Sequence, residues 1–230
     1  MEYSRIRLLS FDCYGTLIDW QKSILDILEP VFNFQHIFSR EELFKAFLHA
    51  DKKMTGGDYL PYRQILGEIV LQMAEDLRIA IDPASSNILS ERFEDWLPFP
   101  DTLKSLKTLK TNYQLAIISN VDDDLFAITN TILDVEFDFI VTAQQTGSYK
   151  PSSVNFNEAG KRFMLEKEEI LHVAQSIRHD IIPSNKLGWN NAWVNRYGEP
   201  ERTHPEEFPD IEVPDLDSLV RILKLETGSC

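Results

Sequence analysis

The chain is 230 residues long, 43% hydrophobic and 26% charged, the balance of an ordinary globular protein with one large domain or a domain carrying an insert. Its 14 Phe, 7 Tyr and 4 Trp exclude a disordered chain. With 23 Lys and Arg against 37 Asp and Glu, the net charge of −14 argues against nucleic acid and against an anionic membrane surface as partners.

The start, MEYSRIRLLSF, carries Arg5, Arg7 and a short apolar run, without the apolar core and cleavage site of a secretory signal. No stretch approaches the roughly 18 apolar residues that span a bilayer. Cys13 and Cys230 are too few for a disulfide framework, so reduced thiols and a cytoplasmic setting are expected. IRLLSF (6–11) predicts a first strand. Residues 19–97 then change in kind: Ile24, Leu25 and Leu28, then Leu43, Phe44 and Phe47, then Ile65, Ile69, Leu71, Met73 and Leu77 are spaced for amphipathic helices. Pro30, Gly56–Gly57, Pro61 and Pro83 punctuate them.

LPFPD (97–101) marks a return to the first architecture. A helix follows the cap-like Asp101, with Leu103, Leu106 and Leu109 on one face. LAIIS (115–119), FDFIVTA (137–143), ILHVAQS (170–176) and NAWVNR (191–196) read as strands. Helical patterns lie between and after them, at Leu125, Ile128 and Ile132 and at Leu216, Leu219, Val220 and Leu223. Such alternation predicts an α/β fold: a doubly wound, Rossmann-like parallel sheet, with core residues 1–18 and 98–230 and a helical domain, 19–97, inserted after the first strand.

Ligands of open parallel sheets bind beyond the carboxyl ends of the strands. Polar clusters fall at four such ends: Asp12, Ser119 with Asn120, Lys150, and His179 with Asp180. Asp12 is a candidate nucleophile, with Gly15 allowing a tight turn whose amides could face an anion and Thr16 adding a hydroxyl; a turn or helix cap is the plainer reading. Lys150, restrained by Pro151, could keep Asp12 ionised and hold a substrate anion, or be a solvated loop lysine. Ser119 and Asn120 offer a hydroxyl and an amide, or ordinary turn chemistry. Asp180 could join Asp12 at a metal or orient Lys150 by ion pairing. His179 could be a base or a packing residue. The run Asp122–Asp124 reads as the first turn of the helix at 123–132 rather than a metal site, and Cys13 as a small buried filler.

FDCYGTLIDW, LAIISN, SYKPSSVNF and AQSIRHD, in that order, resemble the four motifs of the haloacid dehalogenase superfamily, over most of the chain. The resemblance implies a covalent aspartyl ester on Asp12, an anion held by Thr16 and Ser119, a leaving group met by Asn120, charge stabilised by Lys150, and Asp180 as the acidic residue of the fourth motif. Phosphatases of the superfamily place a second Asp two residues after the nucleophile; here that position is Tyr14, a substrate-binding candidate. The form is similar to the branch of type II 2-haloacid dehalogenases and L-azetidine-2-carboxylate hydrolase, which implies a small 2-substituted carboxylic acid and water as partners and no required cofactor. Gln175, Ile177 and Phe156 depart from the dehalogenase pattern. Arg40 and Arg63 are candidates for the family's halide-gripping arginine.

Two alternatives remain at this level: a Mg²⁺-dependent phosphatase using Asp12 and Asp180 as ligands, and a non-catalytic binding protein that kept the fold. Related proteins are often dimers, so a homodimer is one expected state. Trp20, Phe44, Phe47, Tyr59 and Tyr62 are spaced either for a pocket or for packing between helices, packing being the reading preferred.

Overall fold

The structure is a computed structural model that describes residues 3–32, 37–54, 58–199 and 202–227. Its strands are β1 (Leu8–Phe11), β2 (Gln114–Ser119), β3 (Phe139–Thr142), β4 (Ile170–Ala174), β5 (Asn190–Val194) and β6 (Ile211–Val213). Its helices are α1 (Trp20–Phe32), α2 (Arg40–Met54), α3 (Tyr62–Leu77), α4 (Ile88–Glu91), α5 (Thr102–Lys110), α6 (Asp123–Leu133), α7 (Ala143–Thr146), α8 (Ser153–Phe163), α9 (Ile182–Leu187) and α10 (Leu216–Thr227). Gly56–Gly57 and Cys230 lie outside the described residues.

All six strands form one sheet in the order β3-β2-β1-β4-β5-β6, and every neighbouring pair is parallel. The chain winds outward from β1 in both directions, and right-handed crossovers then place helices on both faces. This is the doubly wound sheet that the alternation predicts. β6 is an addition: three residues with Glu212 exposed are too short for a periodicity to register.

β1 and β4 are buried at every residue, as expected of central parallel strands covered on both faces. Leu8, Ala116, Ile118, Val141 and Ile170 from four strands pack with Phe156, Ala159 and Phe163 of α8 and with Trp189. At about 1.5–3 kcal/mol for each large side chain removed from water, this layer is a main source of the sheet's stability.

Contacts divide the chain into two compact units. One, with residues 1–18, 98–120 and 133–230, carries the sheet. The other, with residues 19–97 and 121–132, has only helices and turns among its described residues. In this helical unit Trp20 of α1 meets Phe44 and Phe47 of α2 at ring-centroid distances of 5.5 and 5.8 Å, so these aromatics pack helix on helix. Pro30 does not end the first helix. It lies inside α1, where Ile24, Leu25, Ile27, Leu28 and Phe32 bury the apolar stripe on both sides of it, outweighing the one backbone hydrogen bond that proline removes.

Two acidic residues act differently from expectation. Asp101 makes no side-chain cap on α5. Its carboxylate accepts from Arg196 Nη1 and Nη2 at 3.0 and 3.2 Å and from the Leu216 amide at 2.7 Å. Arg196 lies 3.9 Å from the Phe99 ring centroid and donates through Nε to the Thr16 carbonyl at 2.8 Å. A bidentate pair to a distant strand end is stronger than a local cap. We expect Arg196→Leu to cost about 3–5 kcal/mol in urea unfolding, because Asp101 would stay largely buried without its cation. A cost under about 1 kcal/mol would show that solvent reaches Asp101 instead.

Asp122 is buried, and its carboxylate oxygens accept from the amides of Tyr62 and Arg63 at 2.9 and 2.8 Å. It therefore caps α3, whose own N-cap residue, Pro61, has no side-chain cap, while Asp123 and Asp124 occupy the first turn of α6. Asp122→Ala should lower stability by about 1–2 kcal/mol, read as a shifted unfolding midpoint.

Candidate active site

In the sheet unit Asp12 follows β1, Ser119 ends β2, Lys150 follows β3 and α7, and Asp180 follows β4; all four are buried, and Lys150 meets both Asp12 and Asp180. Asp12 directly follows β1, and its amide donates to the Val173 carbonyl of β4 at 3.1 Å. Its side chain is held at both oxygens: Lys150 Nζ donates to Oδ1 at 2.8 Å and Thr16 Oγ1 to Oδ2 at 2.7 Å. The Thr16 hydroxyl also accepts from the Gln175 amide at 2.9 Å, tying the loop after β1 to the loop after β4.

The turn that follows Asp12 depends on Gly15, whose φ of 101° is a conformation that side chains disfavour. The expected cradle of amides is absent from residues 15–18. The amides of Thr16, Leu17 and Ile18 all donate to the Cys13 carbonyl, and that of Gly15 donates to Ile18. A tight turn satisfies its own amides before any ligand arrives. Tyr14, half-buried, lies inside this turn, bridged in parallel to Ile18.

Lys150 is the hub. Its three Nζ protons go to Asp12 Oδ1 at 2.8 Å, Asp180 Oδ1 at 2.6 Å and the Ile118 carbonyl of β2 at 2.8 Å. Burial would push its amine down, but the two carboxylates outweigh burial and hold it above the ordinary lysine range. Burial would likewise push the Asp180 carboxyl up; Lys150 and His172 outweigh it and lower it to about 2. The Lys150 ammonium has no proton left for a substrate anion, so its action there is by charge.

The Asn120 side chain holds the backbone of Lys150. Its Oδ1 accepts from the Lys150 amide at 2.7 Å and its Nδ2 donates to the Lys150 carbonyl at 3.1 Å, so its amide clamps the backbone that carries the hub. The Lys150–Pro151 peptide is cis. Ser119 Oγ and Asp180 Oδ2 are buried and have no hydrogen-bond partner among the described residues. Such atoms are costly to bury unless something else meets them.

His172 and Ser10 join the network without having been singled out in the sequence. The imidazole Nε2 is 2.9 Å from Asp180 Oδ1, and Nδ1 is 2.9 Å from Ser10 Oγ. The signal was present: a histidine inside an otherwise apolar strand must be paired once buried. His179 sits on the π-helical turn Ile177–Ile181, its ring driven below the ordinary histidine range by burial. Cys13 is fully buried, and burial followed by the Asp12 charge pushes its thiol well up, which suits filler rather than nucleophile.

Phe156 is core, edge-on to His172 at 5.0 Å. In the helical unit Arg40 pairs with Asp26 and Glu29 at 2.7 Å each, and Arg63 with Asp124 at 2.7 Å. Both candidate arginines are thus committed to other carboxylates. No helix among the described residues is long and apolar enough to cross a membrane.

The sequence model of the haloacid dehalogenase-like hydrolases matches residues 9–194. The chain belongs to this family. It is 24% identical over 227 residues to haloacetate dehalogenase H-2 of Moraxella sp. (strain B), covering 95% of this chain and 98% of that one. Among solved structures, a dehalogenase with intermediate complex matches with a TM-score of 0.83 at 21% identity, covering 95% of this chain and 97% of that one. The L-2-haloacid dehalogenase of Xanthobacter autotrophicus with chloropropionic acid covalently bound matches with a TM-score of 0.80 at 20% identity, covering 95% and 98%. These structural likenesses show the shared fold.

For a haloacid dehalogenase-like hydrolase, the question of a divalent cation turns on donors. The facing oxygens of Asp12 and Asp180 already share the Lys150 ammonium, and among the described residues no group of three or more acidic, histidine or cysteine side chains could hold a metal. The described residues do not fit a divalent ion held between those two oxygens.

Proposed function

We propose that this hydrolase uses Asp12 as its nucleophile on a small carboxylic acid substituted at carbon 2. The observation that carries the reading is the two-point grip on Asp12, Oδ1 by Lys150 and Oδ2 by Thr16, at the end of the central strand. A carboxylate so held is aimed before substrate arrives, and orientation of this kind supplies much of an enzyme's rate. One carboxylate oxygen attacks carbon 2, forming the ester bond as the bond to the leaving group breaks and carries off its electron pair. Water then cleaves the ester at the Asp12 carboxyl, giving a 2-hydroxy acid and a proton and restoring Asp12.

Tyr14 stands where the superfamily's phosphatases carry a proton-donating Asp, as the motif resemblance implies. A halide leaves as a stable anion and needs no such donor. The likeness to a haloacetate dehalogenase along nearly the whole chain supports the same class. The buried Ser119 hydroxyl, which has no partner among the described residues, is the proposed contact for the substrate carboxylate. Asn120 and Lys150 act by shape and charge.

The test is turnover of purified protein on the 2-chloropropionate enantiomers, azetidine-2-carboxylate and a set of phosphate esters, each with and without EDTA. We expect chloride release or ring opening that EDTA leaves unchanged. Phosphate release abolished by EDTA would overturn the reading and make Asp12 and Asp180 metal ligands.

A further inference from the structure

Ser10 of β1 and His172 of β4 are direct partners in the sheet register, and both are fully buried. Period-two alternation puts Ser10 and Asp12 on the same side of the chain. Ser10 meets His172 at Nδ1, His172 meets Asp180 Oδ1 at Nε2, and that oxygen also receives the Lys150 ammonium that holds Asp12. Four side chains thus lead from the interior of the sheet to the nucleophile. Asp180, whose carboxyl is ionised, can only accept, so Nε2 carries a proton toward it, and the Ser10 hydroxyl, which can donate or accept, meets Nδ1. The edge-on Phe156 ring fixes the imidazole plane.

Core packing alone does not account for this histidine. An aliphatic or aromatic side chain would fill the space beside Phe156 without the desolvation that imidazole suffers. Lys150, at 2.6 Å from Asp180, is shared with Asp12 at 2.8 Å, so its one charge meets two carboxylates and His172 is the second donor on Asp180. What the second donor adds is direction. Asp180 Oδ1 takes two hydrogen bonds while the buried Oδ2 takes none among the described residues, so His172 and Lys150 together set which oxygen faces the hub. A lysine on a flexible four-carbon stem is only as well placed as its anchors.

From this geometry we infer that His172, its Nε2–H directed at Asp180 and its Nδ1 anchored by Ser10, is a positioning residue that fixes Asp180, and through Asp180 and Lys150 aims the Asp12 carboxylate. The inference rests on the proposed nucleophilic role of Asp12. A displacement of about 1 Å at an attacking group costs on the order of 100-fold in rate, so loss of this aim should appear in kcat and not in KM.

Two substitutions separate positioning from packing. His172→Gln places an amide NH₂ near the old Nε2 and can still donate to Asp180; His172→Asn matches only the Nδ1 end. We expect His172→Gln to keep kcat within about 5-fold and His172→Asn to lose about 10- to 100-fold, both with KM unchanged within about 3-fold. Equal kcat in the two variants would overturn the inference.

A second measurement needs neither turnover nor these variants. Two-bond ¹H–¹⁵N correlation on the wild-type protein should show His172 protonated at Nε2, and still so in Ser10→Ala, because Asp180 can only accept; a ring bare at Nε2 would overturn the inference whatever the substrate. If the NMR result is as expected while the wild type turns over no 2-substituted acid, the positioning role is supported and only the substrate reading fails.

Discussion

Asp12→Asn is expected to lower turnover of a 2-substituted acid by about 10⁴-fold or more, the scale seen when a covalent nucleophile is removed. The amide keeps the shape of the carboxylate but is a far weaker nucleophile, so the chemical step has no other source. The fold should survive, because Lys150 retains Asp180 and the Ile118 carbonyl as partners. One turnover of the wild-type enzyme in H₂¹⁸O should place the isotope in the Asp12-containing peptide, because in the proposed route water opens the ester at the Asp12 carboxyl. Label found only in product, with none in Asp12, would mean that water attacks the substrate directly and that Asp12 is a base.

Lys150→Met should do more damage to stability than any other single change at the site. It leaves Asp12 and Asp180 buried without their shared cation and removes the donor to the Ile118 carbonyl. Removing one partner from a buried ion pair costs about 3–5 kcal/mol, and for a chain of this size that is a fall in Tm of about 6–20 °C. The variant's pH dependence has a definite sign. With the ammonium gone, burial and mutual repulsion raise the carboxyl pKa values, so the variant should recover stability relative to wild type as pH falls into the range where one carboxyl takes a proton.

In the wild type the signs are opposite at the two ends. The Asp180 carboxyl is lowered, so its contribution is complete above the unfolded value of about 3.9 and is lost as pH falls through about 2. The Lys150 amine is raised, so its contribution is complete below the unfolded value of about 10.4 and is lost as pH rises through the raised value. Thermal unfolding across pH, in both proteins, checks all three statements. A Lys150→Met variant as stable as wild type at neutral pH would show that water replaces the ammonium.

Strand–helix alternation was legible because the central strands are short apolar runs between helices with a clear stripe, Leu216, Leu219, Val220 and Leu223 being one case. The positions of Asp12, Ser119, Lys150 and Asp180 were legible as well, each lying at or beyond a strand end where the fold places ligands. Less visible were the partners. Asp101 reads as a helix cap and is a clip for Arg196; Asp122 reads as the start of one helix and caps another. In both cases a carboxylate chose between a local amide and a distant donor, and local spacing carries no term for the distant one.

His172 shows the same limit from the other side. Inside ILHVA it looks like one polar residue in an apolar run, and only the β1–β4 register brings Ser10 to its Nδ1 and the turn after β4 brings Asp180 to its Nε2. The amino-acid order alone determined the sheet class, the inserted helices and the residue types at the strand ends, because periodicity and turn chemistry act over a few neighbours. The tertiary structure decided which oxygen faces which proton: that Lys150 spends all three on Asp12, Asp180 and Ile118, that Asn120 holds the Lys150 backbone, and that the amides of residues 15–18 are used up within their own turn. Hydrogen bonds are short-ranged and directional, so those choices exist only once strands far apart in the chain lie side by side.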